Sequence, residues 1–325
     1  MNKILVIGTG NIGSRHLQSL ARSKKPLEIT AVDPNTQALE LSRQRFDEVA
    51  RNRSLQKPRY YQNIDDIDRE FDVGIIATTS DVRRKVIEDL LCRTDTKHLI
   101  LEKVAFQSRE DFEYVIKLLR SRDVKAWVNC PRRIIPFYVE LKKIISPHEQ
   151  IFYTVEGGDW GLASNSIHFI DHISFLIEET SYQAYSYGLD NTIKASKRKG
   201  FIEFTGSFHG YFDNGSELSL ISENNSNCPT LISIMTPSML CIVQEQKGMA
   251  EILRKDKNWE WEEIKFKFYL QSELTYKVVE EILDTGNCGL TTLKESYLLH
   301  APMLKAFTDH VQRTTNKEYS SCPIT

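Results

Sequence analysis

Lys3-Ile4-Leu5-Val6-Ile7-Gly8-Thr9-Gly10-Asn11-Ile12-Gly13 decides the fold. The apolar run is short enough for a buried strand, and a glycine-rich turn follows it at once. A strand, a Gly-x-Gly-x-x-Gly turn and a helix in that order make the arrangement that holds a dinucleotide pyrophosphate. Gly8 permits the tight turn, Gly10 lets the backbone approach the phosphates, and Gly13 lets the helix pack close to the strand. Asn11 and Ile12 open that helix, so its free N–H groups and positive dipole end face the anion.

Outward from the turn, Ile12, His16, Leu17, Leu20 and Ala21 recur at helical spacing, which gives one face able to lie on a sheet. Leu27–Val32 reads as a second strand and ends in Asp33, about 20 residues past the last glycine. A carboxylate there accepts hydrogen bonds from both adenosine ribose hydroxyls and repels a 2′-phosphate. This favours NAD and leaves NADP open. The plainer reading of Asp33-Pro34-Asn35 is a turn with Asn35 capping the next helix. Phe71–Ala77 is a further buried strand running into Thr78-Thr79-Ser80, small hydroxyls where a nicotinamide ribose would pass. A helix from Asp81 to Leu91 follows, then a strand His98–Leu101 running into Glu102-Lys103. A helix near Ser108–Arg120 and a strand Lys125–Asn129 complete the series. Strict strand–helix alternation predicts a doubly wound parallel sheet.

After residue 150 the pattern changes. Ile151–Gly157 reads as a strand and Asn165–Ile177 as a helix. Phe201–Phe212, Glu217–Ser222, Leu231–Met235, Leu240–Gln244 and Lys265–Leu270 read as mostly alternating strands, with hairpin turns at Asp213-Asn214-Gly215 and Gln246-Lys247-Gly248. Two helices, Ser272–Leu283 and Leu293–Gln312, close the chain. The expected fold is therefore α/β followed by α+β: a Rossmann-type domain over residues 1–130, then an open, mostly antiparallel sheet domain over 131–325. The last helices are free to return to the first domain.

The whole chain narrows the function classes. Its 325 residues suit two domains, and 42 basic against 44 acidic side chains leave a formal net charge of -2. That balance points to neither a nucleic-acid nor a membrane partner. No apolar run reaches the roughly 18 residues needed to span a bilayer, and the N-terminus enters a strand directly. The six cysteines show no CxxC pairing, so the reading is buried or incidental thiols and a cytoplasmic protein.

Residues at the carboxyl ends of parallel strands are the first candidates for chemistry. Lys103 ends the strand expected nearest the nicotinamide, with Glu102 beside it. In the second half, Gly158–Gly161 gives way to a helix carrying His168 and His172, one turn apart. That spacing suits a metal, but no third ligand accompanies it, and no metal is expected. His168, closer to the glycine loop, is the choice for proton transfer, and His172 is the helix residue. Arg132, Arg133, Trp160, Ser164, Asn165 and His172 are candidates to line a substrate site. An arginine pair suits an anionic or nucleotide-linked sugar, the plainer reading being a solvated surface pair.

Together, GTGNIG, Glu102-Lys103 after the fifth strand, and Ile167-His168-Phe169-Ile170-Asp171 opening a helix resemble the glucose–fructose oxidoreductase / inositol dehydrogenase / rhizopine-catabolism (Gfo/Idh/MocA) family over nearly the whole chain. The resemblance implies an N-terminal Rossmann domain and a C-terminal open sheet. It implies NAD(P)-dependent oxidation or reduction of sugars, cyclitols or their derivatives, in homodimers or homotetramers. The family's Glu-Lys-Pro motif maps onto Glu102-Lys103-Val104, its catalytic histidine onto His168, and its Asn-x-x-Arg-Arg-like stretch onto Asn129–Arg133. Two departures stand out. Val104 replaces the proline, and Ser164 occupies the position four residues before the histidine where the family commonly has an aspartate. The closing segment Leu298–Thr325 resembles a subgroup linked to surface-polysaccharide or nonulosonic-acid sugars. The expected function is a nicotinamide-dependent sugar oxidoreductase using Lys103 and His168. The alternative is a non-catalytic dinucleotide-binding sensor or regulatory protein on the same fold.

Overall fold

The computed structural model describes residues 1–49, 56–146 and 149–325. In chain order its elements are β1 (Asn2–Ile7), α1 (Asn11–Leu20), β2 (Leu27–Val32), α2 (Thr36–Asp47), β3 (Arg59–Tyr61), β4 (Glu70–Ile76), α3 (Ser80–Arg93), β5 (Asp95–Leu101), α4 (Arg109–Ser121) and β6 (Lys125–Val128). Next come α5 (Pro136–Ile144), β7 (Phe152–Gly158), α6 (Leu162–Ile177), β8 (Tyr182–Leu189), β9 (Lys194–Ala195), β10 (Ile202–Glu203) and β11 (Gly206–Phe212). The remainder are β12 (Glu217–Glu223), β13 (Leu231–Thr236), β14 (Met239–Gln244), β15 (Met249–Arg254), β16 (Glu262–Lys265), α7 (Gln271–Thr285), β17 (Thr291–Thr292) and α8 (Leu293–Thr315).

Two compact units emerge. The first takes residues Met1–Phe106, Glu110–Asn129 and Tyr269–Leu293. Its sheet runs β17-β6-β5-β4-β1-β2-β3, parallel throughout except for β17. Because helices cover both faces of such a sheet, its central strands are continuous apolar runs. Ile4, Leu5, Val6, Val73, Ile75, Ile76, Leu99 and Leu101 are all fully buried. Helix α7 belongs to this unit and packs along α1, while β17 pairs with β6 through Thr291↔Val128.

The second unit takes residues Gln107–Arg109, Cys130–Phe268 and Lys294–Thr325. Its eight-stranded sheet runs β16-β15-β14-β13-β7-β12-β11-β8. The pairing is antiparallel except that β12 lies parallel to β7. Alternation puts one face inward. Phe208, Leu220, Val155 and Ile232 stand in register across four strands and are buried.

Several strands differ from the sequence expectation. Phe201–Phe212 is not one strand: β10 ends at Glu203, and Gly206, at φ +94°, starts β11. Lys265–Leu270 is not a strand; the pairing stops at Lys265 in β16, whose partner is β15. Past it, one further bond, from Phe266 N–H to Gly248 O, reaches the turn from which β15 starts. Tyr182–Leu189 and Met249–Arg254 form strands that the sequence reading passed over.

Candidate active site

The glycine turn has the geometry that its spacing requires. Gly8 sits at φ +84°, where a side chain is strained, and a Cβ there would lie 2.8 Å from Ala77 C. A Cβ on Gly13 would fall 1.7 Å from Gly8 O, so α1 can approach β1 only with glycine at that position. Around Gly10 the opposite holds: an added Cβ meets nothing within 4 Å. The first turn of α1 has no side-chain cap and no acidic residue. The helix itself therefore supplies no anion to its N–H donors and dipole.

Asp33 follows β2 and is 9% exposed. Its Oδ2 accepts the Thr9 N–H at 2.7 Å and its Oδ1 accepts the Asn35 N–H at 2.8 Å. The carboxylate is thus fixed beside the glycine turn with lone pairs to spare. Asn35 also caps α2, accepting from Gln37 N–H at 2.9 Å, so the ribose reading and the capping reading of this turn coexist. Two buried hydroxyls, Thr9 Oγ1 and Thr78 Oγ1, have no hydrogen-bond partner among the described residues. Buried polar atoms without partners are uncommon. Both lie at carboxyl ends of neighbouring strands, β1 and β4, as a bound dinucleotide would require. The residues present fit NAD.

Thr78-Thr79-Ser80 leads from β4 into α3, with Thr79 as an extended N-cap and Ser80 buried. One strand further along, Glu102 and Lys103 follow β5. Glu102 is buried. Its Oε1 accepts from His16 Nε2 at 3.0 Å and from Asn129 Nδ2 at 2.5 Å. His16 in turn meets Thr275 Oγ1 at 2.8 Å through Nδ1, and Asn129 also donates to Gln271 Oε1 at 2.8 Å. Burial alone pushes the Glu102 carboxyl upward. The hydrogen bond and charge of His16, the Asn129 amide and the Lys103 charge outweigh it and hold the group below the usual carboxylate range. Lys103 is half-buried, and the Lys103–Val104 peptide is cis. Arg83, on α3 and 1% exposed, donates to the carbonyls of Thr78, Val104 and Ala105.

In the second unit, β7 ends in a loop with Asp159 at φ +46° and Gly161 at φ +78°, and α6 begins at Leu162. The Glu203 carboxylate, brought by β10, accepts the N–H groups of Ala163 at 2.9 Å and Ser164 at 3.3 Å. It serves as the cap that the α6 N-cap residue, Gly161, cannot provide. Trp160 donates from Nε1 to Ile221 O at 2.8 Å, and Asn165 Nδ2 donates to Trp160 O at 2.9 Å. Trp160, Ser164, Asn165 and His168 are all half-buried, and they share this loop and the first two turns of α6.

The other candidates lie deeper in the same unit. His172 is fully buried; its Nδ1 meets Tyr153 OH at 2.8 Å, and its ring packs edge-on against Tyr138. Burial, then the charges of Arg132 and Arg133, hold this imidazole well below its ordinary pKa, so it is neutral. The arginine pair is not a solvated surface pair. Arg132 forms a bidentate pair with Glu245 at 2.8 and 2.6 Å and lies over the Phe169 ring. Arg133 Nε reaches both Asp171 oxygens at 3.0 and 2.9 Å. Both cations are therefore already matched by carboxylates. Sequence reading missed Glu203, Glu245, Asp171 and Arg83. Apart from Thr78, which lies 5 residues from Arg83, their partners lie 21 to 113 residues away, and no local spacing signals such pairs. A buried cation on an otherwise apolar helix face is the one available hint for Arg83.

Residues 2–130 match the family model GFO_IDH_MocA, described as an oxidoreductase family with an NAD-binding Rossmann fold. No curated protein matches the sequence. Among solved structures, UDP-N-acetylglucosamine 3-dehydrogenase GnnA from Acidithiobacillus ferrooxidans superposes with a TM-score of 0.70 at 14% identity, covering 94% of this chain and 96% of that one. An oxidoreductase from Agrobacterium radiobacter, solved with NAD+, L-tartaric acid and magnesium, gives 0.69 at 15% identity over 96% and 97%. The transcriptional regulator Gal80p from Kluyveromyces lactis gives 0.69 at 14% identity over 96% and 92%. At such identities these likenesses establish the fold. Among the described residues, no helix is long and apolar enough to cross a membrane.

Proposed function

We propose that the protein, whose residues 2–130 match an oxidoreductase family with an NAD-binding Rossmann fold, binds NAD and is a dehydrogenase or reductase acting on a CH–OH group of a sugar or sugar derivative. Surface-polysaccharide or nonulosonic-acid sugars are the substrates suggested by the closing segment. The observation that carries the reading is Lys103 at the end of β5, one strand from the hydroxyls of Thr78 and Thr79. When bound, the nicotinamide supplies the acceptor for a hydride. Gly8, Gly10, Asn11, Ile12 and Gly13 hold the pyrophosphate, Asp33 the ribose hydroxyls, and Thr78, Thr79, Ser80 and Glu102 the nicotinamide side. Glu102 acts from behind Lys103 as a buried counter-charge.

In the oxidative direction His168 takes the proton from the reacting hydroxyl at an imidazole nitrogen. Lys103, as an ammonium, stabilises the negative charge that develops on the same oxygen. Trp160, Ser164 and Asn165 contact the sugar. Arg132, Arg133 and His172 support α6 from within the unit, because their polar groups are already engaged there. The protein works as a homodimer or homotetramer through the outer face of the second sheet. Tyr211, Glu217, Phe152 and Met235 stand there in register, and the three apolar members are 47%, 39% and 44% exposed.

The test is growth of NADH absorbance with NAD+ and a panel of neutral, acidic and nucleotide-linked sugars. Turnover of one class supports the reading, and uniform silence in both directions contradicts it. A non-catalytic sensor is the second reading. Ser164 favours it, since a hydroxyl there cannot accept the proton that a carboxylate could. Half-buried Lys103 and His168 weigh against it, because a pure binding module needs neither.

A further inference from the structure

Arg83 is a long cation on α3 with 1% of its surface exposed. Its Nη1 donates to the carbonyl of Val104 and, at 2.7 Å, to that of Ala105, and its Nη2 donates to the carbonyl of Thr78. These three acceptors belong to two separate segments of the first unit, one leaving β4 and the other leaving β5 immediately after Lys103. Neither segment is in a strand or helix at those residues. Val104 and Ala105 are 0% exposed, so bulk water does not reach their carbonyls. Buried carbonyls must be paired, and a planar guanidinium can serve three of them at fixed angles. An ammonium on a flexible stem cannot hold that fork.

We infer that Arg83 is a positioning residue for Lys103: by clasping the carbonyls of Val104 and Ala105 together with that of Thr78, it fixes the backbone from which the lysine projects relative to the end of β4. This rests on the proposed role of Lys103. Arg83 touches neither substrate nor coenzyme in this assignment; it acts through the main chain.

The test uses the full chain with Arg83→Lys and Arg83→Gln. Lysines are dimethylated with carbon-13 formaldehyde, and the Lys103 signal is identified by its loss in Lys103→Arg. In a folded Arg83→Lys protein the Lys103 resonance is expected to move and its titration midpoint to shift by about half a pH unit or more. NAD+ affinity by calorimetry should stay within a few-fold. On any sugar the wild type turns over, kcat should fall about 10²-fold, the cost of a roughly 1 Å misplacement, with KM little changed. A Lys103 titration superimposable on that of the wild type in either folded variant overturns the inference. If neither variant folds, Arg83 is a folding determinant and the positioning role is likewise rejected. Unchanged turnover in Lys103→Ala would reject the underlying catalytic reading while leaving the resonance shift intact, so the two failures are distinguishable.

Discussion

At the scale of single residues, Asp33 and Glu102 show how environment assigns roles to two carboxylates of one unit. Asp33 accepts two backbone N–H groups and keeps lone pairs for a ligand. Asp33→Ala is expected to weaken NAD+ about tenfold or more, since hydrogen bonds to a charged group are worth about 1.5–3 kcal/mol each. Discrimination against NADP+ should relax in parallel. Calorimetric titration with both coenzymes checks this, and unchanged selectivity contradicts it. Glu102 is consumed internally by His16 and Asn129. Because its pKa is depressed in the fold, the stability it contributes is present above the unfolded value of about 4.3 and is lost as pH falls through the folded value. Glu102→Gln should therefore lower the unfolding midpoint most near neutral pH, and the two proteins should converge in acid. Parallel melting curves at every pH would show that the pair carries no charge-dependent stability.

At the scale of elements, the β1–turn–α1 unit was legible from sequence because its requirements are local. Gly8 and Gly13 must be glycine for reasons within a few ångströms of their own backbone, so their spacing alone announces them. Gly13→Ala places a methyl where Gly8 O already sits, so α1 must shift away from β1. Loss of about 1–3 kcal/mol of stability is expected from overpacking, together with loss of measurable NAD+ binding. Thermal melts and calorimetry on the same preparation check both effects. A variant that binds NAD+ as wild type does would show that the close approach is not needed. The start of α6 was less legible. The loop glycines and His168 are visible in sequence, but the cap that fixes the helix comes from Glu203, 40 residues away. The same applies to Arg133 on Asp171. The strand Lys265–Leu270 was misread because alternation of charge and aromatic continues past the point where the β15 partner ends.

At the scale of the whole molecule, the change from parallel to antiparallel pattern after residue 150 was readable, because buried parallel strands are continuous apolar runs and half-covered strands alternate. Composition could not reveal that Tyr269–Leu293 joins the first unit, since the amphipathic face of α7 fits any apolar partner. The outer face of the second sheet gives a further prediction. Met235→Lys combined with Phe152→Lys should convert a dimer or tetramer into a smaller species without loss of fold, as measured by analytical ultracentrifugation and circular dichroism. A wild type that sediments as a monomer would reject that assembly.

The most direct measurement follows NADH formation on one substrate by wild type, Lys103→Ala and His168→Ala, with NAD+ affinity measured on each. The expected result is a loss of about 10²–10⁴-fold in turnover for each variant, the usual contribution of a proton-transfer or charge-stabilising group, with coenzyme binding retained. Wild-type turnover in either variant would contradict the assignment of that residue to the reacting hydroxyl.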